Sequence, residues 1–329
     1  MSKYDGPIVD AHHHFWEPDL GRQPWLLPEA HIPFRYGDYS SIKRSYLPPD
    51  LLTDAKNFKL VGTVTMETEW DEDDPIGEMR YMQDMQDKYG LPNACVAHAL
   101  LDQPNVEAVI EQLADMPIVR SVRQKPGQAP NPAKAHTNPS KMKDPVWKHG
   151  FTLLEKYGLK FDLQVAWWHM NEAIDLAREN PDQTIVVNHA ALPADRSLEM
   201  MEGWKKAVRS LARQPNFLMK ISGIGLPGTP WTVENNRVVV ETLFEEFGAN
   251  RCMFASNFPV DSVCGSYDEI FGGFLEISEG WSEAEQKDAF IGTAVECYGL
   301  DEGLLASTQA PLEAYSKDMR AKLENMSDR

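Results

Sequence analysis

The chain has 329 residues, with 32 Lys and Arg against 50 Asp and Glu, for a formal net charge of -18 at pH 7. So acidic a chain excludes nucleic acid as a partner, because counterion release needs clustered cations, and no window supplies the roughly 18 apolar residues of a membrane span. It does not exclude an anionic substrate, since salt screens distant surface charge within about 8 Å while a few pocket cations act locally.

The N-terminus, MSKYDGPIVDAHHHF, lacks a basic region followed by an apolar run, so the expectation is a cytoplasmic protein. Short apolar runs then recur, each followed by helical periodicity: PIVDAH, KLVGTVTM, NACVAHAL, IVRSVRQ, LKFDLQVAWW, TIVVNHAA, FLMKISGI and RCMFASNFPV. Eight such units predict an α/β fold, a closed (β/α)8 TIM barrel. The second, sixth and eighth runs are rich in Val, Ile or Phe, as strands covered on both faces require. Amphipathic helices are predicted over 106–116, 170–180, 198–213 and 235–248, and Gly90, Gly158 and Gly248 stand where helix C-caps fall. The Pro-rich stretch 125–139 reads as one long loop rather than a domain boundary, because the strand-helix rhythm resumes beyond it. A closing helix is expected over 282–298 and a charged helix or tail over 304–325, so that residues 1–300 form a single barrel domain and 301–329 an appendage. The structural rival, a doubly wound open sheet, calls for a Gly-rich phosphate turn after its first strand, and three histidines stand there instead. Cys95, Cys252, Cys264 and Cys297 are far apart without metal-type spacing and are read as reduced thiols.

Alternation along a strand puts Asp10, His12 and His14 on one face, and at the C-terminal end of a first barrel strand that face opens into the mouth. Two imidazoles at HxH spacing suit a divalent metal; a surface histidine cluster is the structural alternative. His189 follows the apolar run 184–188, at a strand-to-loop junction where ligands and bases belong; alone it reads more often as a hydrogen-bonded core histidine, and combination with His12 and His14 reverses that reading. Lys220 shares a face with Ser222, Gln164 with Asp162, and Arg123 ends the fourth run; each suits a substrate contact or a structural salt bridge. In RCMFASNFPVD the strand ends at Ser256 and Asn257 and the nearest acid is Asp261, which suits a base for water or a helix cap. Trp16, Trp25, Trp70, Trp167, Trp168 and Trp231 fall near the predicted mouth and could line an aromatic pocket or pack loops onto the barrel.

DAHHHFW, FDLQV, NHAALP, KISGIG and CMFASNFPVD, in this order, resemble the amidohydrolase-2-type branch of the amidohydrolase superfamily, over roughly residues 8–298 and closest to the sugar-lactone and 2-pyrone-4,6-dicarboxylate lactonases. The resemblance implies that His12 and His14 match the strand-one pair, His189 the strand-six histidine, and Arg123 a strand-four arginine that contacts substrate oxygen. It also implies an aspartate at the end of strand eight serving as metal ligand and general base, where this chain carries Asn257. An amide cannot take up a proton near neutral pH, and its substitution for a carboxylate removes one anionic ligand.

The resulting expectation is an enzyme, a hydrolase that opens a small lactone by attack of water. His12, His14 and His189 hold one divalent ion, Zn2+ or Mn2+, or else the histidines themselves polarise the carbonyl without metal. His189, Asp261 and Asn257 are the candidate catalytic residues, and Arg123, Lys220, Gln164, Trp16 and Trp168 hold the ring. A metal-dependent non-oxidative decarboxylase of an aromatic or enoic acid and a non-catalytic ligand-binding barrel are the alternatives. The expected partners are a small-molecule substrate and a second copy in a homodimer, with no nucleic acid or membrane.

Overall fold

The computed structural model describes residues 4–127 and 129–306. Eight parallel strands follow one another in a single sheet in chain order: β1 (Ile8–His13), β2 (Leu60–Met66), β3 (Ala94–His98), β4 (Val119–Gln124), β5 (Lys160–Leu163), β6 (Ile185–Val187), β7 (Phe217–Ile221) and β8 (Cys252–Phe254). The backbone ties the ends together: Asn257 N–H donates to His12 O at 2.8 Å and His14 N–H to Phe258 O at 2.7 Å. The result is the (β/α)8 barrel that the eight-fold rhythm predicts.

One principal helix follows each strand: α1 (Pro48–Asp54), α2 (Gly77–Tyr89), α3 (Val106–Ala114), α4 (Pro145–Lys156), α5 (Met170–Glu179), α6 (Leu198–Ala212), α7 (Val233–Phe247) and α8 (Tyr267–Ile277). Their starts are written in the sequence: Asp144 accepts from Val146 N–H, Thr232 from Asn235 N–H, and Ser266 and Glu269 form a reciprocal capping box. Gly90 ends α2 in the left-handed conformation at φ 75°, and Gly248 ends α7 at φ 78° and ψ 157°, a region open essentially to glycine alone. Leu113, Leu154, Trp204, Leu243 and Phe274 turn the helices' apolar stripes onto the outer face of the strands, while Val9, Ala11, Val64, Val96, Val186 and Met253 form an inner cluster. No helix among the described residues is long and apolar enough to cross a membrane.

Two local expectations, the fifth run and the face of Asp10, need correction. The fifth run does not stay extended to Trp168: β5 stops at Leu163, and Trp167–His169 form a 3-10 turn whose His169 Nε2 accepts from Ala129 N–H at 3.2 Å. The closing segment forms the helix expected over 282–298, capped by Ser282, with a π-bulge at Asp288–Gly292 between Glu283–Lys287 and Thr293–Tyr298. Asp10 does not share the face of His12 and His14, because the β1–β2 register shifts between Asp10 and His13 and breaks the period-two alternation. The carboxylate of Asp10 instead accepts from Ser256 Oγ at 2.6 Å and from the Tyr267 hydroxyl at 3.3 Å. Of the expected C-terminal helix or tail, the stretch beyond residue 306 lies outside the described residues.

Candidate active site

The ends of β1, β2, β4, β6 and β8 surround a cavity of about 240 Å³, lined among others by His14, Trp16, Glu67, Arg123, His189 and Asn257. His12 lies between two neighbours, with ring centroids 4.5 Å from His189 and 5.3 Å from His14. Two of the three rings are oriented by a partner at Nδ1: His14 by the Met66 carbonyl at 3.2 Å, which fixes its Nδ1 as the protonated nitrogen, and His189 by Ser222 Oγ at 3.0 Å. His12 is wholly buried and neither ring nitrogen has a hydrogen-bond partner.

Burial is the largest effect on all three imidazoles and disfavours their charged form. Neighbouring His189 and Lys220 add to it at His12, Arg123 at His14, and Arg35 and Arg123 at His189, so that His14 falls to about 3 and the other two lie well below the ordinary histidine value. Three neutral imidazoles, each with a lone pair to give, are the donor chemistry that a divalent transition metal takes. As the side chains stand, no group of three or more His, Cys, Asp or Glu among the described residues is assembled around a common ion position. The donors fit by type and protonation, and the unpartnered nitrogens of His12 are the buried atoms that call for a ligand.

His189 sits in strained backbone. Residues His189, Ala190, Ala191 and Leu192 all have φ between 53° and 59°, a left-handed run that costs about 1–2 kcal/mol per residue. Its supports are visible: Trp204 Nε1 donates to Ala190 O at 2.7 Å, and Leu192 N–H to His189 O at 2.8 Å. Gly223, itself at φ 57°, lies so close that a Cβ there would stand 2.4 Å from His189 Nδ1. Strain of this kind persists where surrounding structure over-determines it, which is common at functional sites.

Asn257 lies on the turn just past β8 with φ 56°, a conformation Asn tolerates better than most residues. Its Nδ2 donates to Asp261 Oδ1 at 2.6 Å, which leaves its buried Oδ1 without a partner. Asp261 is itself buried and also accepts from the Tyr36 hydroxyl at 3.0 Å. Burial pushes its carboxyl up to about 6, against the pull of Arg35 and its hydrogen bonds.

The remaining predicted residues divide. Trp16 and Gln164 line the cavity beside Arg123. Lys220 is drawn into the barrel interior, where it pairs with Asp162 at 2.9 Å, both fully buried, and contacts Met66 Sδ at 3.1 Å. Asp162 also accepts from Asn188 Nδ2 and the Tyr298 hydroxyl, so both charges of the pair are held within a buried structural network. Trp168 donates to Ala129 O at 3.0 Å, on the loop it packs against.

Glu67, just past β2, went unread in the sequence. Arg123 Nε donates to Glu67 Oε1 at 2.6 Å and Nη2 to Glu67 O at 2.7 Å, while Nη1 reaches Gln164 Oε1 at 3.1 Å. Against the raising effect of burial, Arg123 and then Lys125 hold Glu67 well below the usual carboxylate range. Arg35, on the loop between β1 and α1, was also missed; it lines the cavity and donates to Gly223 O at 3.0 Å. The only sequence signal for Glu67 was an acid directly after a barrel strand, and that stretch is crowded with other acids.

With this geometry established, comparison with known proteins assigns the class. A family model described as Amidohydrolase, of the amidohydrolase-2 type, matches residues 9–300, and the chain belongs to that family. An uncharacterized protein, y4mH, of Sinorhizobium fredii is 38% identical over 295 residues, covering 89% of this chain and 99% of the relative. L-fucono-1,5-lactonase of Burkholderia ambifaria is 26% identical, covering 86% of this chain and 89% of its own length. A crystal structure of an amidohydrolase from Burkholderia multivorans with bound zinc superposes with a TM-score of 0.73 at 22% identity, over 90% of this chain and 100% of the other.

Proposed function

We propose that the chain is a hydrolase that opens a small lactone by addition of water across the acyl C–O bond, giving a hydroxy acid. The observation that carries this reading is the set of neutral His12, His14 and His189 with neighbouring rings, of which His14 and His189 line one cavity with Asn257. The likeness to a curated lactonase over most of both chains supports it. His12, His14 and His189 would hold a divalent ion, which supplies Lewis-acid polarisation of the ester carbonyl and a more acidic water. Asn257 Oδ1 accepts a hydrogen bond from the attacking water and orients it, and Asp261 keeps the amide turned that way. Arg123, clamped by Glu67 and Gln164, presents its remaining N–H donors to substrate oxygen. Trp16 and Trp25, in edge contact with centroids 5.4 Å apart, wall the cavity against bulk water.

The test is metal content of protein purified without added metal, read beside hydrolysis of aldonolactones and carboxylated lactones before and after chelation. One divalent ion per chain and chelator-sensitive ring opening are expected. Release of CO2 from an aromatic acid with no ester hydrolysis would replace this reading by a decarboxylase. Undiminished lactonase activity in metal-free protein would retain the reaction and remove the ion.

A further inference from the structure

A second cavity, of about 440 Å³, adjoins the first and is larger than it; Trp25, Glu67, Glu69 and Lys125 line both. The first falls below the roughly 300 Å³ at which small-molecule sites usually begin, and the second lies within their usual range. A single lactone ring suits the smaller cavity and leaves its neighbour unused.

The neighbour is built rather than merely left over. Trp70 lines it, only 8% exposed and stacked on Tyr81 with centroids 5.6 Å apart, yet its indole Nε1–H is buried without an acceptor. His98 Nδ1, also buried, has no hydrogen-bond partner and stands 4.0 Å from Glu67 Oε2. Buried polar groups are almost always satisfied, so two at one cavity wall point to an absent ligand with hydrogen-bonding groups. Between the two cavities stands Glu69, with φ 57° in the left-handed region and its N–H held by Glu67 Oε2 at 2.7 Å. That strained residue carries the seam, and its carboxylate pairs with Lys125 across it.

Charge selects the ligand's class. The lysines lining this cavity are already taken, Lys125 by Glu69 and Lys141 by Asp102 at 2.7 Å, while Asp71 is paired with Arg22 at 3.1 Å and Glu72 adds negative charge. An anionic substituent meets no unpaired lysine there. The Trp25 ring, the Trp70 indole donor and carboxylate acceptors are instead the groups that hold a neutral, hydroxyl-bearing ring.

We propose that this cavity is a second subsite for a neutral polyhydroxylated ring, so that the preferred substrate is a lactone bearing a glycosyl substituent rather than a single-ring lactone. The proposal rests on the lactonase reading for its reaction but not for its binding site. It is tested by kcat/KM for cellobiono-, maltobiono- and melibiono-1,5-lactone against glucono-1,5-lactone. At least a tenfold preference for one disaccharide lactone is expected. Trp70→Phe, which keeps the ring and removes the donor, should lower that preference about fivefold, the effect of one neutral hydrogen bond. Equal or poorer kcat/KM for all three disaccharide lactones, or a preference unmoved by Trp70→Phe, overturns the subsite. If no lactone of either size is hydrolysed, the lactonase reading fails separately. The reduced disaccharides cellobiitol, maltitol and melibiitol then decide the subsite: saturable quenching of tryptophan fluorescence that weakens in Trp70→Phe supports it, and no binding overturns it.

Discussion

Asn257 donates its amide nitrogen to Asp261 Oδ1 at 2.6 Å, and this single contact decides which end of the amide is left without a partner, the oxygen. An ionised carboxylate only accepts, so the nitrogen must turn toward it and the oxygen away. Asp261 therefore acts through Asn257, as a positioning residue. Asp261→Ala should lower kcat about 10–100-fold, the usual effect of losing the partner that orients a site residue. Asp261→Asn, which keeps an acceptor oxygen but adds an N–H donor as a protonated carboxyl does, should fall between the parent and Asp261→Ala, at the level the parent retains below pH 6. If steady-state kinetics found Asp261→Asn as inactive as Asp261→Ala, the carboxylate would be the base itself.

The same contact sets a pH dependence. Burial raises the Asp261 carboxyl to about 6, so as pH falls through that value the group takes up a proton and becomes a donor. It then competes for Asn257 Oδ1 instead of holding Nδ2. The imidazoles, depressed below this range, do not titrate there. A pH profile of kcat should show an acid limb near pH 6 that is absent in Asp261→Asn; a limb persisting in that variant would assign it to another group.

Glu67 and Arg123 form a buried ion pair whose removal leaves a charge without compensation. Glu67→Gln should destabilise the fold by about 3–5 kcal/mol, because breaking one side of such a pair strands the other. Urea denaturation at neutral pH reads this directly, and a loss under about 1 kcal/mol would mean that Arg123 finds a new partner.

How far the sequence reached follows from which signals are local. Eight apolar runs separated by helical periodicity reveal the barrel, because burial on both faces of a parallel strand leaves a continuous apolar stretch. His12, His14 and His189 could be placed at the mouth because each ends such a run. Asp10 was misplaced because a register shift is invisible in spacing alone. Lys220 carries the same strand-end signature as a substrate contact, and only its pairing with Asp162, 58 positions away and two strands over, assigns it to the interior. Arg35 and Tyr36 lie on a loop whose path over β7 and β8 is set by long-range contacts to Gly223 and Asp261, which no local pattern encodes.

Ser222 carries a prediction about the histidines. Its Oγ contacts His189 Nδ1 at 3.0 Å and fixes which nitrogen is left for a ligand. If His189 helps to hold a divalent ion, Ser222→Ala should weaken that ion about 10–100-fold. Competition of the loaded protein against a chelating indicator dye would measure it; unchanged affinity would take His189 out of the ligand set.

Glu78, in α2, gives a stability prediction of definite sign. Thr68 N–H and Oγ1 both donate to its Oε1, at 2.8 and 2.6 Å, while its buried Oε2 has no partner. Burial first, then the nearby charge of Glu67, raises its carboxyl from 4.5 to about 8. Between those two values the folded chain binds a proton that the unfolded chain has lost, so this residue's contribution to stability falls as pH rises, by about 1.4 kcal/mol per unit. Below about 4.5 both states are protonated and the effect vanishes; above about 8 it levels off. Glu78→Gln preserves the acceptor for Thr68 and cannot ionise. Relative to the parent it should be nearly neutral in stability at pH 5 and increasingly stabilising toward pH 8, as read from chemical denaturation across that range. A difference that stays constant with pH would show that Glu78 ionises in the folded chain at its ordinary value, with water reaching Oε2.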